Sequence, residues 1–409
     1  MLNNHRLLWS GTFAATLYWF LSEMLNPILS LYASSLNYST LQISLIFAAQ
    51  TFIPFFLTIQ VGYFSDRIGQ RNMLAIGAGF MMLGSMILLF LHQFSMFILA
   101  ETLVGFGHIA VWLSSQSMVT FIDTKFREKA IARMSFFTAF GQLTGPLLGG
   151  VMYSHFNYQF VLGLYFLLSF GFILTYPFSK ISSIKSNDPP ITPNRISFLE
   201  SYKIGGQLYI SNRGVRVATL ISFSLAFILF IRVTYLPLYL EKLHYNPTKI
   251  GLFIALWSLA SIIIRFFSAN LMDRYGRLRM TVVSLMLSFL GLIGFTVFNF
   301  SGGLIISLIL AGVGTGLNQP LAISLLSIST NQQNRGLGIG LRLMSNRLAN
   351  WLSPLTLGAA SHFFGLPFAF AVVSLPLAVI SYSSIRQLIK LPISDNDPKK
   401  KGVGKYASQ

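Results

Sequence analysis

Twelve apolar runs, each roughly 20 to 25 residues long, limit this chain to a fold whose helices lie in a lipid bilayer. Only 10% of its 409 residues are charged, whereas 54% are hydrophobic. Because about 20 apolar residues in a helix cross roughly 30 Å of hydrocarbon, each run suffices for one crossing. We predict an all-α membrane protein with transmembrane helices over residues 9–33, 42–64, 72–92, 94–120, 131–154, 158–179, 216–240, 248–271, 279–299, 302–328, 336–361 and 366–390.

The net charge of +18 is concentrated on one side of these predicted helices. Most of the 29 Lys and Arg residues fall in loops on that side or in the C-terminal tail, and the loops of the other side hold Lys242 and Lys249. An excess of Lys and Arg marks the cytoplasmic side of membrane proteins. The distribution predicts a protein of the plasma (bacterial inner) membrane with both termini in the cytoplasm, and it explains the basic composition without a nucleic-acid partner.

The sequence lacks the residue patterns that would indicate a thiolate metal site or an intramembrane enzyme. It has no cysteine, which excludes disulfide bonds and thiolate metal sites. The apolar runs contain no His-x-x-x-His spacing, no paired acids and no serine–histidine constellation. The glycine-rich stretches at 312–316 and 336–340 follow no strand and are interpreted as helix packing. We expect no enzymatic activity, no metal and no cofactor, and ion gradients as the source of energy.

The sequence also repeats itself at an offset of 207 residues. The stretch "SDRIGQR" matches "MDRYGRL", so that Asp66 corresponds to Asp273, and Gly105 corresponds to Gly312. Two similar membrane halves usually rock against each other around a central site. The predicted organisation is an N-terminal six-helix bundle (1–179), a cytoplasmic linker (180–215), a C-terminal six-helix bundle (216–390) and a cytoplasmic basic tail (391–409).

The turn after the second helix, "GYFSDRIGQR", resembles the hallmark loop of the major facilitator superfamily, Gly-x-x-x-Asp-Arg-x-Gly-Arg-Arg. The resemblance covers the whole chain and implies two pseudo-symmetric six-helix bundles that transport a solute. Gln70 stands where the family has an arginine. In the family this loop latches the two halves together with an acid at the inner end of the fourth helix. The resemblance therefore implies a conformational latch of Gly62, Asp66, Arg67, Gly69, Arg71, Asp123, Asp273, Arg274 and Arg277.

The fifth helix carries "GQLTGPLLGG", which resembles the antiporter signature of drug/proton exporters in the same family, Gly-x-x-x-Gly-Pro-x-x-Gly-Gly. The match implies proton-coupled export. Packing is the alternative interpretation, because glycines four residues apart let a neighbouring helix approach closely and proline bends a helix. The matching residues are Gly141, Gly145, Pro146, Gly149 and Gly150.

Two acids lie within the predicted hydrocarbon, Glu23 in the first helix and Glu101 in the fourth. At 1.5 Å per residue, both lie at roughly the depth of Arg232 in the seventh helix. Charges at this depth usually face a cavity or one another. Static pairing with an arginine is one interpretation. The other is reversible protonation during transport, because burial raises the pKa of a carboxyl group and a nearby arginine lowers it.

The fourth helix departs from the family's Arg-x-x-Gln-Gly signature, since Glu101 and Val104 replace the arginine and the glutamine. A proton-relay role of that arginine is therefore not transferred to this chain. His108, one heptad after Glu101, is a third proton-coupling candidate, with a satisfied polar side chain as the alternative. The predicted lining of the substrate cavity is Arg232, Arg265, Arg342, Arg347, Trp112, Asn318 and Gln319, with packing as an equal alternative for the last three.

Together these features predict a proton-coupled secondary transporter that exports a small amphipathic organic solute, either drug-like or an anionic metabolite, by alternating access. Arginine favours an anionic group on the solute, and a lipophilic cation drawn by an unpaired glutamate is the rival. A proton-coupled importer of an organic anion or nutrient and a non-transporting membrane receptor are the alternatives. The expected partners are the solute, protons and the lipid bilayer, and the chain is expected to be a monomer.

Overall fold

The computed structural model describes residues 2–120, 124–174, 198–330 and 335–389, which form fourteen helices and contain no strand. The helices are α1 (Leu2–Ser35), α2 (Thr40–Ile68), α3 (Gln70–Phe90), α4 (Phe94–Thr120), α5 (Thr124–His155), α6 (Tyr158–Leu174), α7 (Phe198–Ser211), α8 (Arg213–Thr234), α9 (Leu236–Lys242), α10 (Pro247–Tyr275), α11 (Arg277–Val297), α12 (Ser301–Ser329), α13 (Arg335–Phe364) and α14 (Leu366–Ile389). The end of the molecule at which α1 ends and α2 begins is called the distal end below.

The all-α membrane fold predicted from the sequence is confirmed. Eight helical segments of the described residues are long and apolar enough to cross a membrane. Large apolar side chains also lie exposed on helix surfaces, among them Phe266, which is 86% exposed, and Phe136, which is 69% exposed. Such exposure is unfavourable in water and is expected where a helix faces lipid.

Two features of the helices differ from the apolar pattern of the sequence. The predicted span 216–240 consists of α8 and α9, which meet at Tyr235, because Pro237 at the start of α9 has no N–H to continue the helical ladder. The helix α7 lies in the segment assigned to the linker. Residues 180–197 of that linker and the tail 391–409 lie outside the described residues, so the domain boundaries stay a prediction.

The turns between helices preserve the internal repeat in their backbone geometry. Asn37 and His244, 207 residues apart, have φ angles of 61° and 62°. Gly69 and Gly276 have the same separation and φ angles of 90° and 82°. These angles are unusual for residues other than glycine and asparagine. Equivalent turns of the two halves therefore share one uncommon conformation, which supports a common origin of the two sequence halves.

Glycines also set the distance between helices in both halves. A Cβ atom at Gly84 in α3 would lie 2.7 Å from the carbonyl oxygen of Ala100 in α4. A Cβ atom at Gly291 in α11 would lie 2.6 Å from the Cβ of Ala311 in α12. Gly84 and Gly291 are again 207 residues apart. The α3–α4 and α11–α12 pairs therefore pack closely for the same reason.

The chain divides into two compact units. The first unit contains α1 to α6, α9, the end of α8 from Phe230, α10 as far as Ser258, α13 from Asn350 and the start of α14. Within it, α1 packs mainly on α5 and α4, and α3 packs on α4 and α6. The second unit contains α7, α11, α12 and the remaining parts of α8, α10, α13 and α14. Its core is the apolar cluster Val215, Val217, Ala218, Ile221, Ala322, Leu325, Leu326 and Leu388.

Candidate functional site

Glu23 and Arg232 form a buried ion pair in the first unit. Arg232 Nη2 donates a hydrogen bond to Glu23 Oε1 at 2.5 Å, and each residue is 4% exposed. Arg232 Nη1 donates to the hydroxyl of Ser258 in α10. Glu23 Oε2 and Arg232 Nε have no partner among the described residues. The pair therefore joins α1, α8 and α10, and each member keeps one polar atom for a further partner.

Glu101 in α4 is fully buried and has a different environment. Its Oε2 accepts a hydrogen bond from Gln50 Nε2 in α2 at 2.8 Å, and the same amide donates to Asn26 Oδ1 in α1 at 3.1 Å. Its Oε1 has no hydrogen-bond partner among the described residues. Within these residues no Lys, Arg or His nitrogen lies within 4.0 Å of the carboxylate. Glu101 is thus a buried carboxyl group held by the amide of Gln50 rather than by a cation.

Gly105 explains how Gln50 reaches Glu101. Any Cβ atom at Gly105, one turn further along α4, would overlap the backbone carbonyl of Gln50. The glycine lets α2 lie directly against α4 at the level of the carboxyl group. Asn26 and Gln50 were not predicted as site residues. The available signal was their position in apolar runs, because uncharged amides inside a membrane also require partners.

Three aromatic rings of α1 and α4 form a second part of the site, which we call the aromatic platform: Tyr18, Trp19 and Trp112. The ring centroids lie 5.4 Å apart for Tyr18 and Trp19, 5.5 Å for Tyr18 and Trp112, and 5.6 Å for Trp19 and Trp112. The predicted proton-coupling residue His108 packs edge-on against Tyr18 at 5.1 Å, and its Nε2 lies 3.0 Å from the hydroxyl of Tyr165.

The remaining predicted cavity residues lie in the second unit. Asn318 is fully buried, accepts a hydrogen bond from Ser284 at 2.7 Å and donates to Ser288 at 3.4 Å, which joins α11 to α12. Arg265 Nη2 donates to Ser261 Oγ at 3.2 Å. Three others are half-buried: Gln319, Arg342 and Arg347. No group of three or more His, Asp or Glu residues that could hold a metal ion occurs in the part of the chain that the structure describes.

The predicted latch is only partly described. Gly69 and Gly276 form the positive-φ turns that begin α3 and α11. Arg277 Nε donates to Ser324 Oγ at 2.9 Å, and the Arg274 guanidinium lies 5.4 Å from the Tyr275 ring centroid. Arg71 is half-buried and Asp273 is exposed. Asp123 and the side chains at positions 62, 66 and 67 lie outside the described residues, so the latch stays a prediction.

The glycine motif of α5 forms close helix contacts in the first unit. Cβ atoms at Gly141 and Gly145 would each lie 2.6 Å from a carbonyl oxygen of α1, and one at Gly149 would lie 2.8 Å from another. At the distal end, a Cβ atom at Gly150 would lie 3.1 Å from the Cα of Gly251 in α10. The motif and Pro146 beside it therefore bring α5 against α1 along one face and against α10 at the distal end.

Comparison with known proteins gives a similar sequence and similar folds over most of the chain. An uncharacterised MFS-type transporter of Methanocaldococcus jannaschii is 22% identical over 370 residues, which cover 88% of this chain and 93% of the relative. A nucleoside transporter, NupG, superposes with a TM-score of 0.77 at 12% identity and covers 93% of this chain and 99% of its own. A bacterial homologue of the human lysosomal transporter Spinster gives 0.74 at 14% identity, with 95% and 98% covered.

The sequence also matches a family model along most of its length. The model of the Major Facilitator Superfamily matches residues 9–354, and a further match covers residues 219–402. The second match begins in α8, where the second sequence repeat begins. With its helices, its repeat and these matches, the chain belongs to the Major Facilitator Superfamily.

Proposed function

We propose that this protein is a proton-coupled secondary transporter that exports a small amphipathic organic solute, and that Glu101 carries the proton. The observation that supports the proposal is the environment of Glu101. A charge inside a membrane costs several kcal/mol unless a partner neutralises it. Glu23 has Arg232 as such a partner, whereas the described residues offer Glu101 only the amide of Gln50. A proton supplies the missing neutralisation.

A carboxyl group of this kind links proton movement to the state of the transporter. When Glu101 is protonated, its neutral side chain tolerates the closed, dry environment of α2 and α4. When water reaches it from one side, the proton leaves and the charged form is hydrated. Helix movements that expose Glu101 to alternate sides therefore couple a proton to each cycle. The Glu23–Arg232 pair acts as the structural link between α1, α8 and α10.

The proposed direction is export across the plasma (bacterial inner) membrane, with both chain termini in the cytoplasm. The similarity of the α5 glycines to the antiporter signature supports export, although their contacts with α1 and α10 would serve helix packing equally well. The positive loops on one side support the orientation. The solute is proposed to be small and amphipathic, because the first unit holds both the aromatic rings of the platform and the buried polar groups of Glu23, Arg232 and Glu101.

The test uses purified protein in liposomes that contain the pH-sensitive dye pyranine. Nucleosides, pentoses, organic acids and planar aromatic lactones are added outside, one at a time, with no initial pH gradient. An antiporter releases protons as the solute enters, so the lumen becomes alkaline. A symporter brings protons in with the solute, so the lumen becomes acidic. The sign of the luminal pH change is the same for either orientation of the protein in the liposome. The assay therefore separates an antiporter, the mode proposed for export, from a symporter, the mode of the alternative importer.

Three variants complete the assay. We expect Glu101→Gln to abolish the pH change while labelled solute still equilibrates across the membrane. Glu241→Gln, which changes a partly buried carboxyl group at the distal end, is the matched control and should keep the pH change. Glu23→Gln should lower the rate without removing the coupling. A full pH response in Glu101→Gln contradicts the assigned carrier, and solute flux without any pH change in the wild type contradicts proton coupling.

A further inference from the structure

The aromatic platform differs from the packed aromatic residues of the same unit. Phe47, Phe97 and Tyr165 are fully buried by neighbouring helices. Trp19 and Trp112 are only half-buried, although they lie in the middle of α1 and near the middle of α4. Tyr18 beneath them is 7% exposed and stacks on Trp112 with an interplanar angle of 29°. The two indoles therefore form a partly exposed surface on a buried aromatic base, and Trp112 is also packed against an apolar cluster that includes Ala15 and Val119.

The helix contacts show where Trp19 lies around the circumference of α1. Residues of α1 near Gly11 and Ala15 pack on α4, where a Cβ at Gly11 would lie 2.9 Å from the Ser115 carbonyl oxygen. The opposite side of α1, at Thr16 and Phe20, packs on α5. Trp19 lies on the arc between these two contact faces, because successive residues of a helix are 100° apart. That arc also carries Glu23, one turn further towards the distal end.

The platform has the chemistry of a binding surface for a flat ring. Trp112 meets Tyr18 in a stacked arrangement and Trp19 in an edge-to-face one, with an angle of 81° between the two indoles. Two aromatic faces that meet at such an angle can stack on a planar ligand and border its edge. Among the described residues, neither indole N–H of Trp19 and Trp112 has a hydrogen-bond acceptor. Each is a donor for an acceptor atom on the ligand rim.

We infer that the aromatic platform is a substrate subsite that binds a planar aromatic group with hydrogen-bond acceptors on its edge. This inference deepens the proposed function and rests on it, since it assigns the solute a chemical class. Glu23 lies one helical turn from Trp19, and both its Oε2 and the Nε of its ion-pair partner Arg232 are buried without a partner among the described residues. These atoms complete the subsite by accepting from, and donating to, polar groups at the distal edge of the ligand.

The probe for the test is coumarin, a planar aromatic lactone, with octahydrocoumarin as its saturated counterpart. Both are uncharged and both keep the same lactone acceptors, so that they differ in the flat aromatic ring. Binding to the protein in lipid nanodiscs is measured by saturation-transfer difference NMR, with empty nanodiscs as background. We expect coumarin to bind at least tenfold more tightly than octahydrocoumarin. Equal binding of the two lactones overturns the inference.

Variants locate the binding on the platform. Trp112→Leu should weaken coumarin binding by about tenfold, because it removes the stacked face. Trp112→Phe keeps a ring and should lose about threefold or less, which separates loss of the subsite from misfolding. Trp9→Leu is the control, since Trp9 is an exposed indole of α1, the helix that carries Trp19, and lies outside the platform; it should bind like the wild type. Unchanged binding in Trp112→Leu overturns the inference.

The outcome is independent of the proton assay. Binding is measured at equilibrium without a membrane gradient, so tight coumarin binding in a protein that moves no protons contradicts proton coupling and leaves the subsite intact. Proton-coupled flux of other solutes without preference for coumarin contradicts the subsite and leaves proton coupling intact.

Discussion

At the scale of single residues, the two glutamates within the membrane-spanning helices have different hydrogen-bond partners. Glu23 meets Arg232 at 2.5 Å, whereas Glu101 meets the amide of Gln50 at 2.8 Å. The sequence placed Glu23, Glu101 and Arg232 at one depth, and depth alone could not decide which glutamate would meet the arginine. Which glutamate meets Arg232 depends on the rotation of each helix about its axis and on Gly105, which has no side chain and so lets Gln50 lie beside Glu101. These are packing effects that a hydropathy pattern does not contain.

The ion pair leads to a prediction about stability. Arg232→Met leaves Glu23 buried without a cation, and removing one member of a buried pair typically costs about 3–5 kcal/mol. The double variant Glu23→Gln/Arg232→Met replaces both charges and should recover most of that loss. Thermal unfolding of the detergent-solubilised protein, followed by tryptophan fluorescence, measures both. If the double variant unfolds at the same temperature as Arg232→Met, the two side chains do not stabilise each other.

The amide of Gln50 gives a second prediction at this scale. Gln50→Leu keeps a similar volume and removes the donor to Asn26 and Glu101. We expect the pH range over which the proton-coupled flux changes to shift in the variant. The reason is that the hydrogen bond from Gln50 favours the charged form of the carboxyl group that accepts it. The pyranine assay at a series of starting pH values measures the shift. A pH profile identical to that of the wild type would show that Gln50 does not tune Glu101.

At the scale of helices, the sequence prediction and the structure agree best at the contact between α1 and α5, which we call the α1–α5 seam. The glycine motif predicted close approach, and Gly141, Gly145 and Gly149 each face a carbonyl oxygen of α1. The sequence could not tell whether the motif also serves export, because both interpretations use the same glycines. It also did not predict the α8–α9 break at Tyr235, because an apolar run continues through it.

The seam gives a prediction with a matched control. In Gly145→Ala the new Cβ would lie 2.6 Å from the Phe20 carbonyl oxygen, so α1 and α5 must separate. We expect a loss of about 1–3 kcal/mol in unfolding free energy. Gly163→Ala in α6 adds the same methyl group where nothing lies within 4 Å, and its higher helix propensity should leave stability unchanged or raise it by up to about 1 kcal/mol. Equal melting temperatures of the two variants would show that the seam tolerates the added atom.

At the scale of the whole molecule, the internal repeat was predictable and the conformation of the first unit was not. The 207-residue offset follows from sequence matches, and it reappears in the φ angles of Asn37 and His244. The sequence does not specify which ends of the helices meet, because the proposed alternating-access mechanism requires that the same chain can close at either end. The structure shows the first unit closed at its distal end, where Tyr235 contacts Ser44 and donates a hydrogen bond to the Pro354 carbonyl oxygen at 2.9 Å.

The closed distal end can be tested because the chain has no cysteine. A single thiol introduced as Ser44→Cys lies at a fully buried position, so a membrane-impermeant maleimide should modify it slowly. Ser35→Cys, at an exposed position of the same end, should react fast and serves as the control. Adding Gly251→Leu to Ser44→Cys prevents the close approach of α5 and α10 at Gly150 and should accelerate labelling by at least tenfold.

The rates are measured on the solubilised protein by mass spectrometry. Labelling of Ser44→Cys as fast as that of Ser35→Cys would mean that this end is open most of the time. An unchanged rate with Gly251→Leu would mean that the glycine contact does not hold it closed.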